Sequence, residues 1–209
     1  MMRILMVDDH AVVRRGFQQI AGDAYGSLVL GEARSAEEAL QLVQQQRWDV
    51  VVLDVNLPGR SGLDILRELK RERPQLPILV YSMHPEEQYA VRALKAGAAG
   101  YVTKAGAPEE LLRAIRKVVS GGRYVSPWLA ERLAQDAAGE SERSHESLSE
   151  REYEVLRMIA SGCTATEIAA QLSLSVKTVS TYRTRALEKL GLRSNAELVR
   201  YAFEHRLVQ

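Results

Sequence analysis

The sequence predicts an α/β unit built on a doubly wound, five-stranded parallel sheet, followed by a small all-α unit of four helices. Three observations carry that expectation. From residue 3 to about residue 120, short apolar runs alternate with segments whose apolar residues recur at helical spacing, the pattern of strands joined by crossover helices. A polar stretch without periodicity, residues 136–147 (DAAGESERSHES), then interrupts the pattern. From Leu148 onward the spacing is helical throughout.

The expected strands are Ile4–Val7, Leu28–Leu30, Val50–Leu53, Ile78–Tyr81 and Tyr101–Val102, and the helical segments between and after them are 11–21, 36–46, 62–72, 86–96 and 108–120. Ser35 and Glu38 have the spacing of a capping box opening the second helix, and Gly121 stands where the fifth should stop. A short helix, Pro127 to Gln135, follows, with Trp128 as its candidate anchor on the first unit. In the second unit, capping boxes are expected at Ser149/Glu152, Thr164/Glu167 and Ser194/Glu197, with stops at Gly162 and Gly191. The division is therefore 1–122, a connecting helix and linker 123–147, and 148–209.

A chain of 209 residues can fill two small cores. With 28 Lys+Arg against 27 Asp+Glu, no whole-chain field points to nucleic acid or membrane. The one cysteine, Cys163, excludes an internal disulfide and reads as a small, inert, buried residue suited to a reducing compartment. Met1-Met2-Arg3 leads into only four apolar residues before two acids, too few for a signal peptide or a spanning helix. The expectation is a cytoplasmic protein with no membrane partner.

Three of the apolar runs end in reactive groups. Ile4–Val7 ends at Asp8-Asp9, Val50–Leu53 at Asp54, and Gly100–Thr103 at Lys104. The carboxyl ends of parallel strands share one edge of the sheet, where ligands bind, so three acids and a lysine should converge. Mg²⁺ takes oxygen ligands, usually one or two carboxylates with water and phosphate completing the shell. Asp9 and Asp54 are the direct candidates, with Asp8 through water and the Asn56 backbone carbonyl beside them. Asp54, alone at its strand end and facing the acidic pair, is the candidate nucleophile for phosphoryl transfer to a carboxylate. Lys104 would pair with phosphoryl oxygens, and Ser82 would offer a hydroxyl to them. Each residue singly has a plainer reading as a cap, a turn or a solvated charge; it is their grouping at successive strand ends that points to chemistry.

The runs Val7-Asp8-Asp9-His10, Leu53-Asp54-Val55-Asn56-Leu57-Pro58-Gly59, Ser82 and Gly100-Tyr101-Val102-Thr103-Lys104 resemble the receiver domain of two-component response regulators, a flavodoxin-like fold. The resemblance implies that Asp54 accepts phosphate from a sensor histidine kinase with Mg²⁺ bound near Asp8 and Asp9. It also implies that Ser82 and Tyr101 act as a switch pair, with Ser where the family more often has Thr. Tyr101 has an alternative as an ordinary strand aromatic. His84 and Asn56 would flank the phosphoryl group and bear on its lifetime.

Residues 166–172, Ser173-Leu174-Ser175 and 176–190 read as helix, short turn and longer helix, a helix-turn-helix whose second helix enters the DNA major groove. Ile168, Ala169, Leu172, Leu174, Val179, Ala186, Leu187 and Leu190 are its expected core. Residues 146–209 carry nine basic and eight acidic side chains, yet 176–190 alone holds four basic residues against Glu188, a local charge of +3 suited to phosphate attraction. With Val179 inward, Ser180, Thr181 and Thr184 face bases or waters, while Lys177, Arg185 and Tyr182 face phosphates. The runs Leu148–Glu152, Ile168–Leu172, Ser175-Val176-Lys177-Thr178-Val179 and Lys189–Leu192 resemble the LuxR-type output domain, which adds Thr178 to the DNA-facing set. Together the two halves resemble the NarL/FixJ class of response regulators. That implies a transcription regulator of promoter DNA, not an enzyme, in which phosphorylation frees the output unit, promotes a homodimer, or both.

Three rivals stand beside this reading. An aspartyl-phosphate phosphohydrolase would need a general acid two residues after Asp54, where Asn56 stands. A small-molecule-sensing regulator would need an aromatic-rich first domain, against 6% aromatics here. A receiver signalling without phosphate would retain the acidic set with no use for it.

Overall fold

The structure, a computed structural model, describes residues 1–57, 62–137 and 145–208. Pro58 and Gly59 of the Asp54 run, and residues 138–144 of the polar stretch, lie outside the described residues. The chain divides into two compact units, Met1–Leu133 and Ala134–Gln209.

In the first unit the strands are β1 (Met2–Val7), β2 (Leu28–Ala33), β3 (Val50–Leu53), β4 (Ile78–Ser82) and β5 (Gly100–Thr103). They form one parallel sheet in the order β2-β1-β3-β4-β5. The helices are α1 (Ala11–Tyr25), α2 (Ala36–Gln45), α3 (Gly62–Glu72), α4 (Glu86–Lys95) and α5 (Pro108–Val119). Because the strand order reverses between β1 and β3, a crevice opens at the carboxyl ends of these two strands.

The strands pack because both sheet faces are covered. Ile4–Val7 and Val50–Leu53 are fully buried, as continuous apolar runs in a parallel sheet should be. Ile4, Met6, Val50, Val52, Leu79 and Val102 share one cluster with Phe17 and Ala21 of α1 and with Leu111, Ala114, Ile115 and Val118 of α5. Those four α5 residues follow the 3.6-residue period. Pro108 at the start of α5, Glu109 and Glu110 in its first turn, and Arg116 and Lys117 in its last match the helix dipole.

Two boundaries run three or four residues further than the sequence expectation. α1 continues to Tyr25, where Gly26 with φ of 60° closes it. β2 continues through Ala33 because its pairing with β1 extends to Val7↔Ala33. Within β2, Gly31 is a packing requirement: a Cβ there would lie 2.2 Å from Trp48 Cη2. The helix α6 (Pro127–Ala137) also outlasts its expected end. Within it Leu129 is fully buried, while Trp128 is half-buried; one residue of rotation on a helix turns a side chain by about 100°.

The second unit holds a 3₁₀ turn (His145–Ser147) and four helices, α7 (Glu150–Ala160), α8 (Ala165–Leu172), α9 (Val176–Leu190) and α10 (Asn195–Glu204). Val155, Ile168, Ala169 and Val179 form its packed centre, with Leu172, Leu174, Tyr182 and Cys163 against them. Cys163 is half-buried, more open than expected. α8 ends at Ser173 in the left-handed conformation (φ 54°), and α9 starts at Ser175, whose hydroxyl caps Thr178 N. Gly162 and Gly191, with φ of 89° and 70°, close α7 and α9.

Candidate functional site

The sheet edge assembles the predicted groups. β1 delivers Asp8 and β3 delivers Asp54, each fixed by pairing: Asp54 N donates to Val7 O (2.9 Å) and Asp8 N to Ala33 O (3.0 Å). Both carboxylates are buried, Asp8 at 0% and Asp54 at 1% exposure. β5 delivers Lys104, whose backbone N donates to Ser82 O (2.7 Å). Its ammonium donates to Asp8 Oδ2 (2.6 Å) and to Asp54 Oδ2 (2.5 Å). Burial by itself would lower the pKa of Lys104, but the bonds to Asp54 and Asp8 outweigh it and raise the pKa above its ordinary value.

Asp9 is partly exposed, and His10 joins the acids through Nδ1, 2.8 Å from Asp9 Oδ1 and 3.1 Å from Asp8 Oδ1. Ligand atoms of Asp8, Asp9, His10 and Asp54 all lie within 4.8 Å of one another. Asp9 Oδ1 is enclosed and, apart from its close contact with His10 Nδ1, has no hydrogen-bond partner among the described residues. An enclosed carboxylate oxygen with no hydrogen-bond donor of its own, beside two further carboxylates, is what a hard cation needs, so the residues fit Mg²⁺. Three oxygen donors dominate; His10 suits this ion less well and serves to hold the acids, its amide donating to Asp8 Oδ1 (2.8 Å). Asn56 N donates to Asp54 Oδ1 (3.0 Å), which keeps Asn56 beside the cluster.

Ser82, fully buried, accepts a hydrogen bond from His84 N (3.1 Å). His84 Nε2 lies 2.9 Å from Asn56 Oδ1 and its ring stacks on Tyr89 at 4.3 Å between centroids. Tyr101 is buried at 3% exposure, and its hydroxyl donates to His84 O (2.8 Å). The loop from Ser82 to His84 is thus tied to the acidic site on one side and to Tyr101 on the other.

Sequence reasoning passed over two residues that support the site. Arg14, on the first helical turn after the acids, is buried, donating from Nη1 to Asp8 O (2.8 Å) and from Nε to Glu32 Oε2 (2.8 Å). A basic residue six positions after an acid carries no pattern of its own. His10 stood inside a quoted run, and adjacency to two acids was the available signal.

In the second unit, Lys177, Ser180, Thr181, Thr184 and Arg185 are exposed along one face of α9 and, with Glu188, line a shallow groove of about 410 Å³. Thr181 and Thr184 hydroxyls donate to Lys177 O and Ser180 O (both 3.0 Å), which fixes their rotamers and leaves oxygen lone pairs facing out. Thr178 is half-buried and pairs with the Ser175 hydroxyl (2.7 Å). Tyr182 packs its ring against the core of the unit, so only its hydroxyl end can reach outward. Lys189 turns back to Glu152 Oε2 (2.6 Å) and is spent on the fold. Val176, 45% exposed at the start of α9, is an apolar member of this face that charge reasoning did not select. No described helix is long and apolar enough to cross a membrane.

Comparison with known proteins agrees with both halves. Residues 4–116 match the family described as response regulator receiver domain, and residues 146–202 match bacterial regulatory proteins, luxR family. The chain is 40% identical over 210 residues to the response regulator GacA of Pseudomonas aeruginosa, covering 100% of this chain and 98% of that protein. It is 39% identical over 209 residues to the response regulator UvrY of Escherichia coli, covering 99% and 96%. A structure of RcsB from Salmonella enterica serovar Typhimurium, bound to promoter rprA in the presence of the phosphomimetic BeF3−, superposes with a TM-score of 0.66. It shares 27% identity and covers 96% of this chain and 97% of that one.

Proposed function

The chain belongs to the NarL/FixJ-class response regulators, which join a receiver domain to a LuxR-type DNA-binding domain, and on that footing we propose that Asp54 is its phosphoacceptor and α9 its promoter-reading helix. The observation that carries the first half is the Lys104 ammonium held between the buried carboxylates of Asp54 and Asp8.

In the transfer, a carboxylate oxygen of Asp54 attacks the phosphorus of a sensor kinase's phosphohistidine. The new O–P bond forms as the P–N bond breaks, and its electron pair leaves with the imidazole nitrogen. Lys104 exchanges its contact with the Asp54 carboxylate for one with the phosphoryl oxygens. Ser82 now uses a lone pair to accept from His84 N, so its hydroxyl proton is left for the phosphoryl group. Asp9 and Asp54 would hold Mg²⁺ directly, with Asp8 and the Asn56 carbonyl completing the protein's share. When bound there, Mg²⁺ offsets negative charge on the phosphoryl oxygens. Tyr101 leaves His84 O as the loop rearranges around the phosphoryl group.

On α9, Ser180, Thr181 and Thr184 would meet base edges or their waters. Lys177 and Arg185, with the hydroxyl end of Tyr182 and with Thr178, would meet phosphates and orient the helix. The working form is a homodimer on paired half-sites, made in the cytoplasm, and the only covalent chemistry is that on Asp54 itself. Residues 1–122 act as the receiver, 123–147 as connector and 148–209 as output.

Intact-mass measurement after incubation with acetyl phosphate tests the acceptor. A Mg²⁺-dependent gain of about 80 Da in wild type, absent in Asp54→Asn, is the expected result. Equal gain in both proteins, or none in folded wild type with either acetyl phosphate or a phosphorylated kinase, rejects it.

A further inference from the structure

The segment leaving α5 does not simply depart from the first unit. Tyr124 N donates to Ala99 O (2.8 Å), and Tyr124 forms a parallel bridge with Gly100 at the start of β5. The segment thereby covers part of the sheet edge that β5 would otherwise expose. Gly100 is a glycine for this reason: a Cβ there would lie 2.6 Å from Tyr124 O and 2.8 Å from Tyr124 Cβ. Two side-chain bonds then pin the segment to the helices on either side. The Tyr124 hydroxyl donates to Glu110 Oε1 of α5 (2.9 Å), and the Ser126 hydroxyl donates to Glu86 Oε1 of α4 (2.7 Å). Ser126 also accepts from Leu129 N (3.0 Å) and so caps α6, whose Leu129 is fully buried.

Glu86 opens α4, two residues after His84. His84 is the residue whose carbonyl receives the Tyr101 hydroxyl and whose amide donates to Ser82 Oγ. The same five residues of chain, Ser82 to Glu86, therefore touch the phosphoryl site at one end and hold the connector at the other. We propose that residues 123–129 form a strap latched to the receiver through Ser126–Glu86 and Tyr124–Glu110, and that phosphorylation at Asp54 unlatches it by moving the Ser82–Glu86 loop.

The proposal rests on the acceptor reading of Asp54, and one experiment separates the two. Hydrogen exchange on the full chain is followed by mass spectrometry, with and without BeF3− and Mg²⁺. In the absence of BeF3−, amides of 123–129 are protected. With it, peptides over 53–57 and 82–86 change, peptides over 123–129 exchange about tenfold faster or more, and β1 peptides stay as they were. Ser126→Asp keeps a competent helix cap but sets a second carboxylate against Glu86. Together with Tyr124→Phe it brings 123–129 to the fast rate without BeF3−.

A response at 53–57 and 82–86 with unchanged exchange at 123–129 overturns the strap while leaving the acceptor reading intact. No response at 53–57 overturns the acceptor reading and the coupling with it. Unchanged exchange in the doubly substituted protein shows that the two bonds latch nothing, which overturns the proposal whatever BeF3− does.

Discussion

At the sheet edge, Asp8, Asp54 and Ser82 are buried to 1% exposure or less and Lys104 ties the acids together; along α9, Lys177, Ser180, Thr181, Thr184 and Arg185 stand in solvent. The first set sits at the carboxyl ends of buried strands and depends on its own internal bonds. The second is carried by a helix whose inner face, Val179, Ala186 and Leu190 with the ring of Tyr182, does the packing. Charges taken out of water must be paired or they destabilise the fold, so the edge is coupled to stability. Polar groups left in water cost nothing to change, so the α9 face is free to specialise for a partner.

The largest effect that would break this comparison is expected from Lys104→Met, which leaves two buried carboxylates facing each other. It should cost the first unit about 3–5 kcal/mol, read in a urea melt. Asp54→Asn added to it should recover part of that loss. Because the pKa of Lys104 is raised in the fold, its contribution is complete below its unfolded value of about 10.5 and fades as pH climbs through the higher folded value. A melt midpoint unmoved by Lys104→Met would mean the edge is not coupled to folding.

Thr181→Ala and Thr184→Ala should each leave the melt within about 0.5 kcal/mol of wild type while weakening promoter binding by about 1–3 kcal/mol, measured by fluorescence anisotropy. Loss of folding stability in either would show that the outer face packs after all. For Lys177→Ala, the expectation is weaker binding to specific and random duplexes alike, with the log–log salt slope reduced by about 1. A change confined to one sequence would move Lys177 into the base-reading group.

The smallest effect concerns Glu152, a buried, paired acid of the output unit. Burial alone would raise the pKa of Glu152, but bonds from Lys189 and Ser149 bring it below the ordinary 4.5. A depressed carboxylate stabilises fully above that value, and the stabilisation disappears as pH falls through the folded pKa. Glu152→Gln should therefore flatten the acid side of the output unit's stability profile and change little else. An unaltered profile would assign the acid sensitivity to other groups.

How far the sequence could be read depended on the range of the interactions involved. Helix starts were legible because a cap needs only four consecutive residues, yet the four predicted boxes divided. At Ser149 and Thr164 both bonds of the box close, with N-cap φ of −65° and −74°. At Ser35 and Ser194, φ of −144° and −148° turns the cap's own N–H away. There Glu38 and Glu197 take the preceding amides, of Arg34 and Arg193, instead. The chain's path into the helix makes that choice, and tertiary packing sets the path.

The same boundary separates the rest. Strand alternation, the acids and lysine at strand ends, the basic bias of α9 and the turn at Ser173–Ser175 are local patterns, and local physics wrote them plainly into the sequence. The buried Arg14 buttress, the full burial of Leu129 beside a half-buried Trp128, the fit of Gly31 under Trp48, and Gly100 beneath Tyr124 were not legible. Each joins residues distant in the chain or depends on helix rotation to within one position, and only close packing of the finished fold brings them into contact.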